Sequence, residues 1–253
     1  MNLSIIIPAY NEEQRIKKTL EAYSNFYSKK LKTGFEIIVV LNGCIDNTLS
    51  IVSEYSKKHK FINHYDFKEK IGKGGAIIEG FKAAKGSLIG YVDADLATSP
   101  EAFYDLIEKI KGCDGIIASR YLKNSIVNKK QPIQRVIASR IFNVLVRLLF
   151  DMKFHDTQCG AKLFKKNAVD SIKNDLGITQ FSFDVDLLYR LKLNGFKIIE
   201  TPTVWNDQKD SKLVLKKTAP NMFFSIMRLR LRYSRLKFIV TAYDKIHDVY
   251  LKK

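Results

Sequence analysis

Leu88-Ile89-Gly90-Tyr91-Val92-Asp93-Ala94-Asp95 is an apolar run that stops at two carboxylates separated by one residue. Such a run reads as a strand buried in a sheet, and its abrupt polar end marks the point where the strand leaves the core. Open α/β sheets bind ligands at the carboxyl ends of their strands. Two carboxylates at that place suit a hard divalent cation, Mg²⁺ or Mn²⁺, which takes carboxylate oxygens and shares its remaining positions with the phosphates of a bound nucleotide. An isolated Asp-x-Asp is common in surface turns, so the reading depends on the surrounding sequence.

Working outward, β-branched runs alternate with amphipathic segments, the pattern of a mostly parallel sheet flanked by helices in an α/β domain. Strands are expected at Leu3–Ile7, Phe35–Leu41, Phe61–Tyr65, Leu88–Val92, Gly115–Ala118 and Lys197–Thr203. Helices are expected at Glu12–Ser28, Asn47–His59, Gly75–Ala84 and Pro100–Ile110, the last with Ser99 as cap, Pro100 in the first turn and Glu101 beside it. Beyond about residue 120 come a polar loop to Gln131, a long helix to Phe150, a helix Phe183–Leu193 and a basic tail. We read 1–253 as a single domain, with 220–253 a basic amphipathic tail within it.

Lys and Arg number 43 against 26 Asp and Glu, a formal charge of +17 that favours phosphates, anionic lipid or nucleic acid. The three cysteines, Cys44, Cys113 and Cys159, are scattered and form no Cys-x-x-Cys pair, which points to a reducing cytoplasm and no zinc site. Met1 to Ile7 runs straight into a strand, leaving no space for a leader. The richest apolar stretch, Val136 to Phe150, is interrupted by Ser139, Arg140, Asn143 and Arg147, short of the roughly 18 apolar residues a spanning helix needs.

Two further turns join the one at Asp95: Pro8-Ala9-Tyr10-Asn11-Glu12-Glu13 after the first strand and Leu41-Asn42-Gly43-Cys44-Ile45-Asp46-Asn47-Thr48 after the second. Taken singly, Asn11 and Asp46 are ordinary helix caps; together with Asp95 they outline a nucleotide pocket. Gly72-Lys73-Gly74-Gly75-Ala76 precedes a helix and lets backbone approach a phosphate or base, but no Walker A motif or Gly-x-Gly-x-x-Gly fingerprint is present.

The ordered set Pro-Ala-Tyr-Asn-Glu-Glu, Asn-Gly-Cys-x-Asp-x-Thr, Gly-Lys-Gly-Gly-Ala and Asp-Ala-Asp resembles the family 2 glycosyltransferases of the GT-A (Rossmann-like) fold. Downstream, DTQCGAKLF at 156–164, FDVDLLY at 183–189 and Asp210-Ser211-Lys212-Leu213 are similar to the dolichyl-phosphate glucosyltransferases and, less closely, to the dolichol-phosphate mannose synthases. The resemblance implies hexose transfer from a nucleotide sugar, UDP-glucose favoured, to a polyprenyl (dolichyl) phosphate. It implies a donor site of Pro8, Ala9, Tyr10, Glu12, Asn42, Gly74, Asp93, Ala94, Asp95 and Lys212, with Asp93 and Asp95 holding the metal. It assigns acceptor phosphate to Arg120, Arg135 and Ser139, and catalysis to Asp95, Asp93 and Arg120. One departure stands out: the family's Asp-Asp-Gly-Ser is here Leu41-Asn42-Gly43-Cys44, so recognition of the base falls to Asn42, main chain or another group.

A phosphate monoester acceptor is largely dianionic at neutral pH, its second pKa being about 6, and needs no general base. Asp184 and Asp186 therefore divide between orienting the site and capping or solvating a helix. The Arg135/Ser139/Asn143 stripe, with Ile137, Ile141, Val144, Leu145 and Leu148 on other faces, reads as a helix partly facing lipid or as an ordinary amphipathic core helix. In the tail, Phe223, Met227 and Leu231 share one helical face and Arg228, Arg232 and Arg235 another. That helix either tethers the chain to an anionic membrane surface, making it a peripheral cytoplasmic protein, or packs on the core. Family 2 transfer to a saccharide hydroxyl is the alternative reading. Nucleic acid is not expected as a partner, because the carboxylate turns repel its backbone and no nucleic-acid-binding motif is present.

Overall fold

Every expected strand forms, and alternate residues along each face opposite layers. The structure is a computed structural model that describes residues 2–128, 132–177, 182–206, 215–238 and 240, with backbone alone for 215–219. The strands are β1 Leu3–Ala9, β2 Phe35–Asn42, β3 Ile62–Phe67, β4 Leu88–Tyr91, β5 Gly115–Ser119, β6 Ile126–Val127, β7 Lys162–Lys165, β8 Ile198–Pro202 and β9 Val204–Trp205. The helices are α1 Ile16–Leu31, α2 Thr48–Lys58, α3 Gly72–Ala83, α4 Pro100–Lys109, α5 Ile133–Phe150, α6 Lys166–Asp170, α7 Phe183–Leu193 and α8 Leu215–Arg232. Seven strands form one sheet in the order β3-β2-β1-β4-β7-β5-β8, parallel except for β7, which runs antiparallel to β4 and β5. A two-stranded ribbon of β6 and β9 lies beside it.

Period-two burial divides the core. Ile5, Ile7, Ile37, Val39 and Leu41 pack with Leu20 and Tyr23 of α1 and Phe103 of α4. Ile6, Ile38 and Val40 face the other way, onto Ile77 and Phe81 of α3, Phe142 and Val146 of α5 and Leu187 of α7. Burying each such side chain is worth about 1.5–3 kcal/mol, so a sheet covered on both faces is the main source of stability. Ser99 caps α4 as expected, its Oγ accepting the Ala102 N–H at 3.2 Å.

Three expectations are corrected. The first helix begins at Ile16 rather than Glu12, because the Glu12 and Glu13 amides donate to Thr48 Oγ1 and Asp46 Oδ2 in the next turn instead of entering a helix. The glycine segment 72–75 lies inside α3, which starts earlier than the expected Gly75. Strand β7 and the short β6 and β9 were not expected; β7 reads Lys-Leu-Phe-Lys, and lysines at both ends hid a central strand.

The tail helix α8 reaches the core through Ile226 and Leu229, while Phe223 and Phe224 remain exposed. On α5, Ile133 is 72% exposed, Ile137 51%, Ile141 56%, Val144 42% and Leu148 76%, an uncovered apolar stripe along one side of the helix. Leu145 lies off this stripe and packs partly against the core. Among the described residues no helix is long and apolar enough to cross a membrane.

Lys162, at the start of β7, is fully buried; its Nζ donates to Asp184 Oδ1 at 2.7 Å and to the Cys159 carbonyl at 2.6 Å. Tyr91 Oη donates to the same Asp184 oxygen at 2.6 Å. Removing one partner of a buried ion pair leaves an uncompensated charge, so Lys162→Met should destabilise the protein by about 3–5 kcal/mol. The double substitution Lys162→Met, Asp184→Leu should recover most of that loss in urea unfolding.

Candidate active site

The parallel strands β1, β2, β4 and β5 all deliver their carboxyl ends to one edge of the sheet, and antiparallel β7 begins at the same edge. A cleft of about 220 Å³ opens there, lined by Pro8, Ala9, Tyr10, Glu12, Asn42, Lys73, Asp93, Ala94 and Asp95. Eight of the ten residues expected on the donor side thus lie together. Of the other two, Gly74 lies off the cleft wall, packed so tightly on α7 that a Cβ would sit 2.7 Å from the Phe183 side chain. Lys212 lies outside the described residues. Lys73, not singled out from the sequence, joins the lining.

Helix α1 holds the loop after Asp93 from behind. Thr19 Oγ1 donates to the Ala94 carbonyl at 2.7 Å, and Tyr23 Oη to the Thr98 carbonyl at 2.9 Å. Asp93 Oδ1 faces Lys73 Nζ at 2.5 Å. Its Oδ2 occupies the space a side chain at Gly160 would need, since a Cβ there would lie 1.9 Å away. Asp95 Oδ1 accepts the Ala97 N–H at 3.0 Å. Burial, then the neighbouring Asp93 charge, pushes the Asp95 carboxyl up to about 6.

Around this pair, several groups are committed to structure. Asn42 Oδ1 accepts the Gly72 N–H at 2.9 Å, which fixes its amide orientation and the start of α3. Leu41 points into the core and offers nothing to the cleft. Glu12 is bidentate with Arg15, both contacts at 2.6 Å, and Lys70 Nζ stands 4.1 Å over the Tyr10 ring. Asn11 and Asp46 are absent from the lining: Asn11 Oδ1 accepts the Ile45 N–H, and Asp46 takes the Thr48 and Glu13 amides. They fasten one turn to the other, which corrects their assignment to the pocket.

Arg120 follows β5 and gives its Nε and Nη2 to Asp156 at 2.7 and 2.9 Å, while its main-chain N–H reaches the same carboxylate. Its guanidinium lies 5.4 Å from the Tyr121 ring and 5.3 Å from the Trp205 ring. Asn143 Oδ1 of α5 accepts both the N–H and the hydroxyl of Thr157, next to Asp156, which brings the helix stripe toward Arg120. Ser139 Oγ is buried without a partner among the described residues, and Arg135 makes no ion pair among them. Glu200 secures this loop through the His155 and Asp156 amides. Asp156, Lys162 and Gly160 were all legible as one motif, DTQCGAKLF, but not as individual roles.

Three other buried groups complete the surroundings of the site. Burial, then Asp156, pushes the Cys159 thiol up to about 12, so no thiolate forms. Burial works against ionisation of Asp184, yet Lys162 and then Lys73 hold its carboxyl below the usual range. Asp186 Oδ1 accepts from Arg190 at 3.0 Å and from Tyr233 at 2.6 Å, tying α7 to the end of α8.

Among the described residues no three His, Cys, Asp or Glu side chains converge. The two carboxylates fit a hard cation that completes its shell with phosphate oxygens and water, and they do not fit a structural metal held by protein alone.

Residues 4–173 match the family Glycosyl transferase family 2, and the chain belongs to that family. It is 33% identical over 243 residues to the dolichyl-phosphate beta-glucosyltransferase of Dictyostelium discoideum, covering 91% of this chain and 74% of that one. It is 31% identical over 234 residues to the glycosyltransferase AglD of Haloferax volcanii, covering 90% of this chain but only 37% of that relative's length. Among solved structures, glucosyl-3-phosphoglycerate synthase from Mycobacterium tuberculosis, in complex with Mn²⁺, UDP and phosphoglyceric acid, aligns with a TM-score of 0.67 at 16% identity over 91% of this chain and 77% of that one. At that identity the likeness concerns the fold, the α/β architecture of GT-A glycosyltransferases.

A methyl group at position 160 should push the Asp93 carboxylate away from the cleft. Gly160→Ala should therefore overpack the site and break the Asp93–Lys73 contact, at a cost of about 1–3 kcal/mol in urea unfolding. In the parent protein, Mn²⁺ binding is read by electron paramagnetic resonance of the free ion, and protonation of Asp95 removes the charge that would attract it. Affinity should hold above about pH 6 and fall progressively below it.

Proposed function

We propose that this protein transfers a hexose, with inversion, from a nucleotide sugar to the phosphate of a polyprenol at a membrane surface, with UDP-glucose the favoured donor. The observation that carries the reading is the convergence of eight expected donor-side residues in one cleft, two strands from Arg120 along the same sheet edge. The named dolichyl-phosphate glucosyltransferases among the relatives support the acceptor class.

Pro8, Ala9, Tyr10 and Asn42 form the wall for the nucleoside, and Asp93 and Asp95 lie where its diphosphate ends. Asp95, supported by Asp93, would hold Mg²⁺ or Mn²⁺, which supplies charge neutralisation to the leaving nucleoside diphosphate. The acceptor phosphate dianion attacks the anomeric carbon, forming the new C–O bond as the bond to the diphosphate breaks on the opposite face. No proton has to be removed, in keeping with an Asp184 that already receives two hydrogen bonds and an ammonium charge. Arg120, aligned by Asp156, and Arg135 and Ser139 on α5 receive the incoming phosphate.

Membrane attachment is supported by the bare stripe on α5 and by Phe223 and Phe224 on α8, together with the exposed Arg140, Arg228, Arg232 and Arg235. Each aliphatic side chain taken fully out of water contributes about 1.5–3 kcal/mol, and arginines beside it suit anionic headgroups.

Incubation with labelled UDP-glucose and short-chain polyprenyl phosphate tests the activity directly: a labelled lipid phosphodiester is expected, and transfer to a saccharide hydroxyl instead would overturn the acceptor assignment. Asp95→Asn should cut turnover by orders of magnitude without unfolding. Arg135→Ala should cost about 1.5–3 kcal/mol in acceptor affinity and leave donor binding unchanged.

Vesicle flotation tests the attachment. Ile137→Ser, Ile141→Ser, Leu148→Ser together should abolish recovery with anionic vesicles, and Arg228→Gln, Arg232→Gln, Arg235→Gln should weaken it and flatten its salt dependence. Recovery of both variants equal to the parent would place the tether elsewhere.

A further inference from the structure

Lys73 lines the cleft together with the two carboxylates and the residues proposed for the nucleoside, and nothing in the proposed mechanism yet uses it. Its Nζ is 2.5 Å from Asp93 Oδ1, and its side chain remains 45% exposed toward the cleft. An ammonium has three N–H donors, and Asp93 engages one direction only. The cleft that Lys73 lines is also lined by Asp95 and Tyr10, so the remaining donors are available to a ligand there.

The placement is enforced from two sides. Gly74, the next residue, packs against Phe183 with no space for a Cβ, which sets α3 flush on α7. Asn42 takes the Gly72 amide immediately before it. Lys73 is therefore held between two fixed neighbours, with its ammonium on Asp93 in the cleft lining. Asp184 lies behind it, close enough to act on its charge, yet is itself neutralised by Lys162.

Charge balance gives this geometry a consequence. Glu12 is matched by Arg15, so the cleft presents two carboxylates and one ammonium. A nucleotide-sugar diphosphate brings two negative charges, and a divalent ion on Asp95 offsets those of its own ligands without covering both phosphates. Lys73 already holds Asp93 Oδ1, whereas the Asp95 carboxylate accepts only a main-chain amide, so of the two Asp95 is the freer to meet a metal.

We propose that Lys73 is the fixed cation of the donor site: anchored by Asp93, its ammonium binds one phosphate of the donor, while the divalent ion is carried by Asp95. The two carboxylates then have different tasks, Asp93 to aim an ammonium and Asp95 to hold a metal. This rests on the nucleotide-sugar reading above, and it implies that part of the affinity for a nucleoside diphosphate survives without metal.

Calorimetric titration with UDP and with GDP, first in EDTA and then with Mn²⁺, tests it in the full chain. The parent should bind one of the two measurably in EDTA. Lys73→Met and Lys73→Gln should each lose about tenfold or more of that metal-free affinity, the effect of losing one charge-assisted contact, and Lys73→Arg should retain most of it. Lys73→Met should keep the additional affinity conferred by Mn²⁺, whereas Asp95→Asn should lose that increment and keep metal-free binding. Unchanged metal-free binding in Lys73→Met and Lys73→Gln would overturn the proposal and leave Lys73 a counter-ion for Asp93. Parent binding in Mn²⁺ but none in EDTA would also overturn it, with the donor reading intact. No binding of either nucleotide under any condition would remove the donor reading and this inference with it.

Discussion

Two like charges one residue apart, at the edge of a buried strand, are the constraint around which the rest of the site is arranged. Burial and the neighbouring Asp93 charge oppose ionisation of Asp95, and the chain gives each carboxylate a separate partner. An ammonium from α3 meets Asp93, a main-chain amide meets Asp95, and the missing side chain at 160 leaves room for the Asp93 carboxylate. Below them a second alternation of charge, Asp184 with Lys162, ties α7 to the start of β7. The cleft is thus supported by an array of opposite charges reaching from solvent into a fully buried lysine.

The alternation of β-branched runs with amphipathic segments made the parallel part of the sheet legible, because strands buried on both faces leave a continuous apolar trace. Strand β7 left no such trace. Its lysines point to special partners, one buried against Asp184 and one paired with Asp114, and periodicity cannot register a cation whose partner lies far away in sequence. The carboxyl-edge turns were legible as a group but not individually. Asn11 and Asp46 have the residue types of pocket ligands and are spent on holding two loops together. Lys73 was visible inside a glycine-rich motif whose glycines drew the interpretation toward backbone; only the fold shows that one of them, Gly74, serves helix packing instead.

The same distinction applies to Leu41. At a position where the family places a carboxylate, this chain has a core residue with no exposure, and Asn42 beside it is occupied in part by the Gly72 amide. In the donor site proposed above, the nucleoside wall would consist largely of main chain and of the Pro8-Ala9-Tyr10 turn. Shape and stacking would then carry more of the recognition than a charged hydrogen bond, and the weight of donor affinity would shift toward the diphosphate end.

The reversed direction of β7 bears on how the chain comes to be folded. β4 and β5 are complete well before Lys162–Lys165 is synthesised, and β7 is the element that pairs with both. Until it arrives, two apolar strands each carry an unpaired row of amides and carbonyls, the arrangement that invites association between chains. The inserting strand must also bring a lysine into the interior and find its carboxylate on α7, which emerges later still. Completion of the sheet is thereby expected late, joined to assembly of the charged array, and a nascent chain that ends before β7 would leave both strands with an open edge.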